Sequence, residues 1–288
     1  MSTQKILFQY NRDAVRFPML RNQGVLEFEQ DWIQCRLNDV GGAIPPFSWV
    51  QFQQKFTELV EYEKDLDSSS AEYVAEKMSI DEFRILVQEF AVDGLTEAQV
   101  FYYILPRLPL EAQMPMLRIM IDEFGSGNIR FAHTSLYVEL LQELSMPTDY
   151  QFYIDHIADS SYEFVNLFYW LTLRADDPSY FCGALTYLET IIPMAFECYV
   201  QCCNRLNIQA HAYYSEHQHI DFYHAQDGMR ILKALNTHQA LDYKKAWQGV
   251  ELASHITNQA FEGAVVKAQA GKLVTSVYEK ERVSGAIS

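Results

Sequence analysis

Glycine and proline are scarce, 12 and 9 among 288 residues, and no Ser/Gly-rich stretch reads as a linker. A prior of roughly 150 residues per domain predicts about two domains. Without a linker between them, the simpler expectation is one helical domain over residues 1–288. Cations are also few, 22 Lys and Arg against 38 Asp and Glu, for a net charge of −16. So acidic a surface repels nucleic-acid phosphate and anionic lipid, and neither is an expected partner. No apolar run approaches the roughly 20 residues that span a bilayer. Met1 to Lys5 lead into no apolar segment with a small-residue cleavage site, so a cytoplasmic protein is expected. The cysteines number five, an odd count. Cys198, Cys202 and Cys203 sit in an apolar helical pattern as small core residues, and nothing completes a CxxC pair for zinc. No histidine precedes His133.

What the chain does have is apolar mass: 49% of residues, with 18 Phe, 18 Tyr and 4 Trp, enough for a sizeable core and incompatible with disorder. Its periodicity is helical. Trp49, Val50, Phe52, Phe56, Leu59 and Val60 recur at three- and four-residue spacing in a helix predicted over 47–65. Ser79-x-x-Glu82 is a capping box opening a helix to about Val92. Thr96 to Gln99 carries a second helix-start signal, and Pro106 and Pro109 end that helix. Further helices are predicted over 111–123, 131–145, 150–158, 161–174, 179–206, 210–235, 239–258 and 259–270, with a fraying tail over 272–288. No hairpin signal or internal repeat interrupts them, which predicts an all-α bundle.

Histidine placement is the most informative feature. His217, Asp221 and His224 stand at i, i+4 and i+7, on one helix face, while His219 points elsewhere. Two imidazoles about 10.5 Å apart along a helix axis do not easily share one ion. Each can serve one of two ions about 3.5–4 Å apart. Phe222 and Tyr223 between them suggest a buried face, where His and Asp need partners; a polar surface face is the bland alternative. Glu123 and His133, ten residues apart, reach a common point only if the helix breaks at Gly125-Ser126-Gly127-Asn128, which otherwise reads as a plain C-cap and restart. Glu189 is a carboxylate among Leu188, Ile191 and Ile192, costly to bury unless protonated, paired or metal-bound; Glu197 is a weaker competitor.

Taken in order, Asp122-Glu123-x-Gly-x-Gly, Ala132-His133-x-x-Leu136-Tyr137, Glu189-x-x-x-Pro193 and His217-x-x-x-Asp221-x-x-His224-Ala225 resemble the haem-oxygenase-like diiron oxidases, also called iron-containing redox enzymes. The resemblance covers roughly residues 80–235 and implies a helical bundle with the haem-oxygenase fold. It implies two irons, with Glu123, His133 and His217 on one and Glu189, Asp221 and His224 on the other. Either Glu123 or Glu189 bridges them. Glu97, one helix upstream, reads first as a helix-start residue and is left outside this set. The implied chemistry is O2 activation at a diferrous centre. It oxidises a small metabolite, an amino acid or related amine or carboxylate, by N-oxygenation, desaturation or oxidative C–C cleavage, or else decarboxylates a fatty acid. An external electron donor and a homodimer are further expectations, and residues 1–70 are expected to add helices against the bundle or a second subunit. Arg118, Arg130 and Arg205 are the basic residues near enough in sequence to meet a substrate carboxylate, though each also reads as an exposed side chain.

Three other classes compete: a haem protein of the same fold, against which the absence of an early histidine speaks; a thiaminase-type hydrolase needing a nucleophilic cysteine; and an iron-binding or partner-binding scaffold without enzymatic activity.

Overall fold

The computed structural model describes residues 2–17, 19–42 and 44–271, so the tail expected to fray lies outside the described residues. Every regular element among them is helical. The α-helices are α1 (Thr3–Arg16), α2 (Gln23–Val40), α3 (Trp49–Lys64), α4 (Ser69–Glu76), α5 (Ile80–Gly94), α6 (Leu110–Glu123) and α7 (His133–Glu143). They continue with α8 (Tyr150–Tyr153), α9 (Asp159–Leu173), α10 (Ser179–Ala195), α11 (Glu197–Leu206), α12 (Ala212–Thr237) and α13 (Tyr243–Ala270).

Local chemistry accounts for many of the boundaries. Ser79 caps α5 with both bonds of the capping box in place: its hydroxyl accepts from the Glu82 N–H, and the Glu82 carboxylate accepts from the Ser79 N–H. Ser48, Ser68 and Asp242 cap α3, α4 and α13 in the simpler way. Elsewhere the sequence signals mislead. Thr96 does not start an α-helix; its hydroxyl donates back to the Val92 carbonyl at 2.7 Å, and only short 3₁₀ turns follow at Gln99–Tyr103 and Leu105–Arg107. The helix expected over 179–206 breaks at Phe196. Pro193, just before the break, has no N–H for the Glu189 carbonyl four residues back. The segments expected as 239–258 and 259–270 are one helix, α13.

The centre of the molecule is α10, buried at every position from Ser179 to Glu189. It lies between α12 and α13, and α12 packs in turn on α6. Two glycines set the α10–α13 spacing. A Cβ on Gly183 would stand 1.9 Å from the Ala246 carbonyl oxygen, and one on Gly249 would stand 2.0 Å from that of Tyr180. Neither helix has room for a methyl group at this crossing.

The N-terminal helices pack on this bundle: α1 on α9, α2 on α13, α3 on α10 and α13, and α4 on α11. Polar contacts hold them in register. Arg36 on α2 binds Glu163 on α9 at 2.8 Å, and Asn11 on α1 donates to Asn166 at 3.1 Å in the buried core. Cys182, Cys198, Cys202 and Cys203 are buried, and burial raises their thiol pKa values. They are core residues and poor nucleophiles. No helix among the described residues is long and apolar enough to cross a membrane.

Gly183→Ala and Gly249→Ala are each expected to cost about 1–3 kcal/mol through overpacking, lowering Tm by a few degrees. Gly42→Ala, where an added Cβ meets nothing within 4 Å, should leave Tm unchanged. Thermal unfolding followed by circular dichroism compares the three.

Candidate metal centre

Five segments converge at one end of the α10 layer. The turn after α5 brings Glu97, α6 ends on Glu123, α7 begins with His133, α10 carries Glu189, and α12 presents His217, Asp221 and His224. The three α12 residues are all buried, on the face predicted from their spacing, and His219 is exposed.

Glu123 and His133 meet because the chain doubles back between them. Gly125, Ser126 and Gly127 all take positive φ, at 60°, 53° and 81°. A Cβ on Gly125 would lie 2.5 Å from the Ala132 N, so the return is open only to glycine. His133 Nδ1 thereby comes 2.9 Å from Glu123 Oε2 and 3.1 Å from His217 Nε2.

The donor atoms form two groups with one shared member. Glu97, Glu123, His133 and His217 place ligand atoms within 4.8 Å of one another, and so do Glu123, Asp221 and His224. Glu123 belongs to both. Glu189 Oε2 approaches His224 Nδ1 at 3.2 Å, beside the second group but outside its mutual 4.8 Å set. Glu97, which the sequence reading set aside, is therefore in the cluster: its Oε1 is 3.3 Å from His217 Nε2 and accepts from the Tyr213 hydroxyl at 3.1 Å. The sequence signal for it was weak. A lone glutamate in a segment that resembles a helix start has a local explanation, and only the packing of that turn against α12 removes it. Glu197 is exposed and holds Gln201.

Neighbours fix the tautomers of two imidazoles. The Nδ1–H of His217 donates to the Tyr213 carbonyl at 2.6 Å, which turns Nε2 into the cluster. The Nε2 of His224 faces the Asp122 carboxylate at 3.3 Å, which leaves Nδ1 facing Asp221 and Glu189. Such outer partners commonly orient metal-bound histidines.

The donor set fits a cation. Glu97 Oε2 and Asp221 Oδ2 are buried without a hydrogen-bond partner, and Glu123 Oε2 and Asp221 Oδ1 have an imidazole nitrogen nearby, His133 Nδ1 at 2.9 Å and His224 Nδ1 at 3.2 Å, without a well-formed hydrogen bond. Orphaned buried carboxylate oxygens are costly, and a divalent ion satisfies several at once. The protons held in its place show the same strain. Burial pushes the Glu123 carboxyl up to about 7, and burial with the Glu189 charge pushes Asp221 to about 7. Burial opposes charge on His224, but Asp221 and Glu189 outweigh it and raise its pKa to about 11. His133 goes the other way: burial, with the His217 charge, lowers it to about 4, so it is neutral at pH 7. Mixed carboxylate and imidazole donors suit iron.

The profile of the iron-containing redox enzyme family matches residues 84–257. Nitrosourea synthase of Streptomyces achromogenes subsp. streptozoticus is similar at 26% identity over 162 residues, 53% of this chain and 33% of that protein. The matched part thus spans about a third of the length of that curated relative.

His217→Ala, Asp221→Ala and Glu97→Ala should each lower ferrous ion bound per chain, and His219→Ala should not; metal analysis of the four purified variants is the check. Ferrous binding must displace protons from Glu123, Asp221 and His224. As pH rises past about 7 the two carboxyls give up theirs unaided, so affinity strengthens. The Tm gain on ferrous loading is accordingly expected to be larger at pH 8 than at pH 6, measured by differential scanning fluorimetry.

Proposed function

The chain belongs to the iron-containing redox enzymes, and on that premise we propose that it is a non-haem diiron oxidase that uses O2 to oxidise a small metabolite of the amine or amino-acid type. The observation that carries this reading is the pair of donor groups joined through Glu123. A single closed ligand set is enough for one ion, whereas two sets sharing a carboxylate suit two neighbouring ions. In this reading Glu97, His133 and His217 would hold one iron and Asp221, His224 and Glu189 the other, with Glu123 belonging to both donor groups. When bound, the irons would supply O2 reduction coupled to two-electron oxidation of the substrate, with further electrons drawn from an external donor.

The chain's own residues do the rest. Tyr213 and Asp122 hold the His217 and His224 rings in place through the hydrogen-bonding contacts described above. A cavity of about 680 Å³ opens onto Glu97, Glu123, Glu189, His217 and Asp221, and apolar side chains supply much of its wall. Those walls exclude water from the reacting end and confine the oxidant to what the cavity holds. They also accommodate an alkyl chain, the observation that keeps oxidative decarboxylation of a fatty acid as the second reading. A second opening, lined by Asp122, Arg130, Phe131 and His133, reaches the cluster from the other side. It offers a route for O2 or electrons separate from the substrate's.

The test is iron bound per chain after anaerobic ferrous loading, followed by stopped-flow absorbance on mixing with O2. About two irons per chain and an oxygen-dependent visible transient are expected. Folded, helical protein that takes up no iron would sink the reading and leave the scaffold in its place.

A further inference from the structure

We propose that the substrate binds as an organic cation, an amine or guanidine on an apolar body of about one ring, with its charged nitrogen against Asp93. The proposal rests on the diiron reading and narrows its substrate class. Asp93 is on the last turn of α5, one turn before Glu97, and lines the same cavity as the cluster. It is not a member of either donor group.

The other carboxylates of that cavity are already engaged. Glu63 accepts the Tyr187 and Ser254 hydroxyls at 2.6 and 2.7 Å. At the exposed rim, Glu72 pairs with Lys77, Glu76 stands near the same lysine, Glu197 accepts from Gln201 and Glu262 accepts from Ser70. Glu97, Glu123, Glu189 and Asp221 serve the irons, and their four charges balance two divalent ions. Asp93 remains: its backbone carbonyl accepts from the Leu95 and Thr96 N–H groups, while its carboxylate has no hydrogen bond or ion pair to another described residue. Its carboxylate is the one near the centre without a bonded partner, with Glu97 and Glu123 opposing its charge and His217 favouring it.

Cations on the cavity wall are correspondingly few. Lys64, exposed at the rim, is its one lysine among the described residues, and no arginine lines it. Arg118 is spent on Asp227 at 2.5 Å, and Arg205 donates to the carbonyls of Ala75 and Met78 at 2.8 and 2.6 Å. Arg130 lines the second opening instead. A substrate carboxylate therefore finds no fixed positive side chain at the inner end of the main cavity.

Next to Asp93 the wall is aromatic. Phe90, one turn earlier on α5, meets Phe164 edge to face at 6.3 Å; Phe164 meets Phe168 at 5.7 Å, and Phe168 meets Phe101 at 5.6 Å. This row suits an apolar or aromatic body beside a cation. Burial and the Glu97 charge push the Asp93 carboxyl well up in the metal-free protein. Divalent ions at the cluster offset the second cause, and a bound ammonium favours the charged carboxylate further.

The test uses iron-loaded protein under argon, titrated calorimetrically with 2-phenylethylamine, 2-phenylethanol, 3-phenylpropionate and dodecanoate, with iron measured in the same samples. The amine should bind at least about tenfold more tightly than the alcohol or the aryl carboxylate. Asp93→Asn should remove that margin while iron content and alcohol binding stay as in the wild type, and Asp93→Glu should keep a preference for the amine. Tighter binding of either carboxylate, no binding of the amine, an unchanged margin in Asp93→Asn, or loss of iron from that variant would each overturn the proposal. Iron present with no amine preference sinks this substrate class alone, whereas iron absent from wild-type protein sinks the diiron reading beneath it.

Discussion

Charge burial is the constraint on which the rest of this structure depends. Glu123, Glu189, Asp221, His133, His217 and His224 are all less than 8% exposed, inside a bundle whose core is otherwise phenylalanine, tyrosine and aliphatic side chains. Leaving such groups ionised and unpaired costs far more than a typical protein's net stability. Proton sharing offsets part of that cost, as the raised carboxyl pKa values show. The oxygens with no partner mark what protons leave undone. A cluster of this kind is compatible with a bound cation, and the chain belongs to a family of iron-containing redox enzymes.

Rigid elements hold the donors. The closest helix crossing, α10 on α13 through Gly183 and Gly249, fixes the helix that carries Glu189. On its other side α10 packs against α12, whose regular geometry keeps His217, Asp221 and His224 in line. Only Glu97 and His133 come from turns or helix starts, and both are braced from nearby, by the Tyr213 hydroxyl and by the glycine-bearing return at Gly125. Ligand positions set by close-packed helices are more exact than positions set by loops.

The cavity separates two electrostatic tasks. Its lining includes both the carboxylates of the cluster and a row of phenylalanine side chains. Asp93 lines the same cavity, and in the reading proposed above its unbonded carboxylate recognises the substrate nitrogen. Two of the arginines that looked available for a substrate anion serve the framework instead, Arg118 on Asp227 and Arg205 on the carbonyls of Ala75 and Met78 around the end of α4.

Much of this was legible in the residues themselves. Helical periodicity, sparse glycine and capping signals such as Ser79-x-x-Glu82 determined an all-α chain, because those effects act within a turn or two of helix. The His217, Asp221, His224 face was determined for the same reason: 3.6 residues per turn fixes which side chains share a side. Glu97 was decided only by tertiary structure. Its local sequence describes a helix start equally well, and what makes it a donor is the packing of that turn against α12, more than a hundred residues away. The shared place of Glu123, the break of the 179–206 helix at Phe196 and the isolation of Asp93 were settled in the same way. Each depends on which charges and surfaces from distant segments end up beside it, and short-range pattern does not encode that.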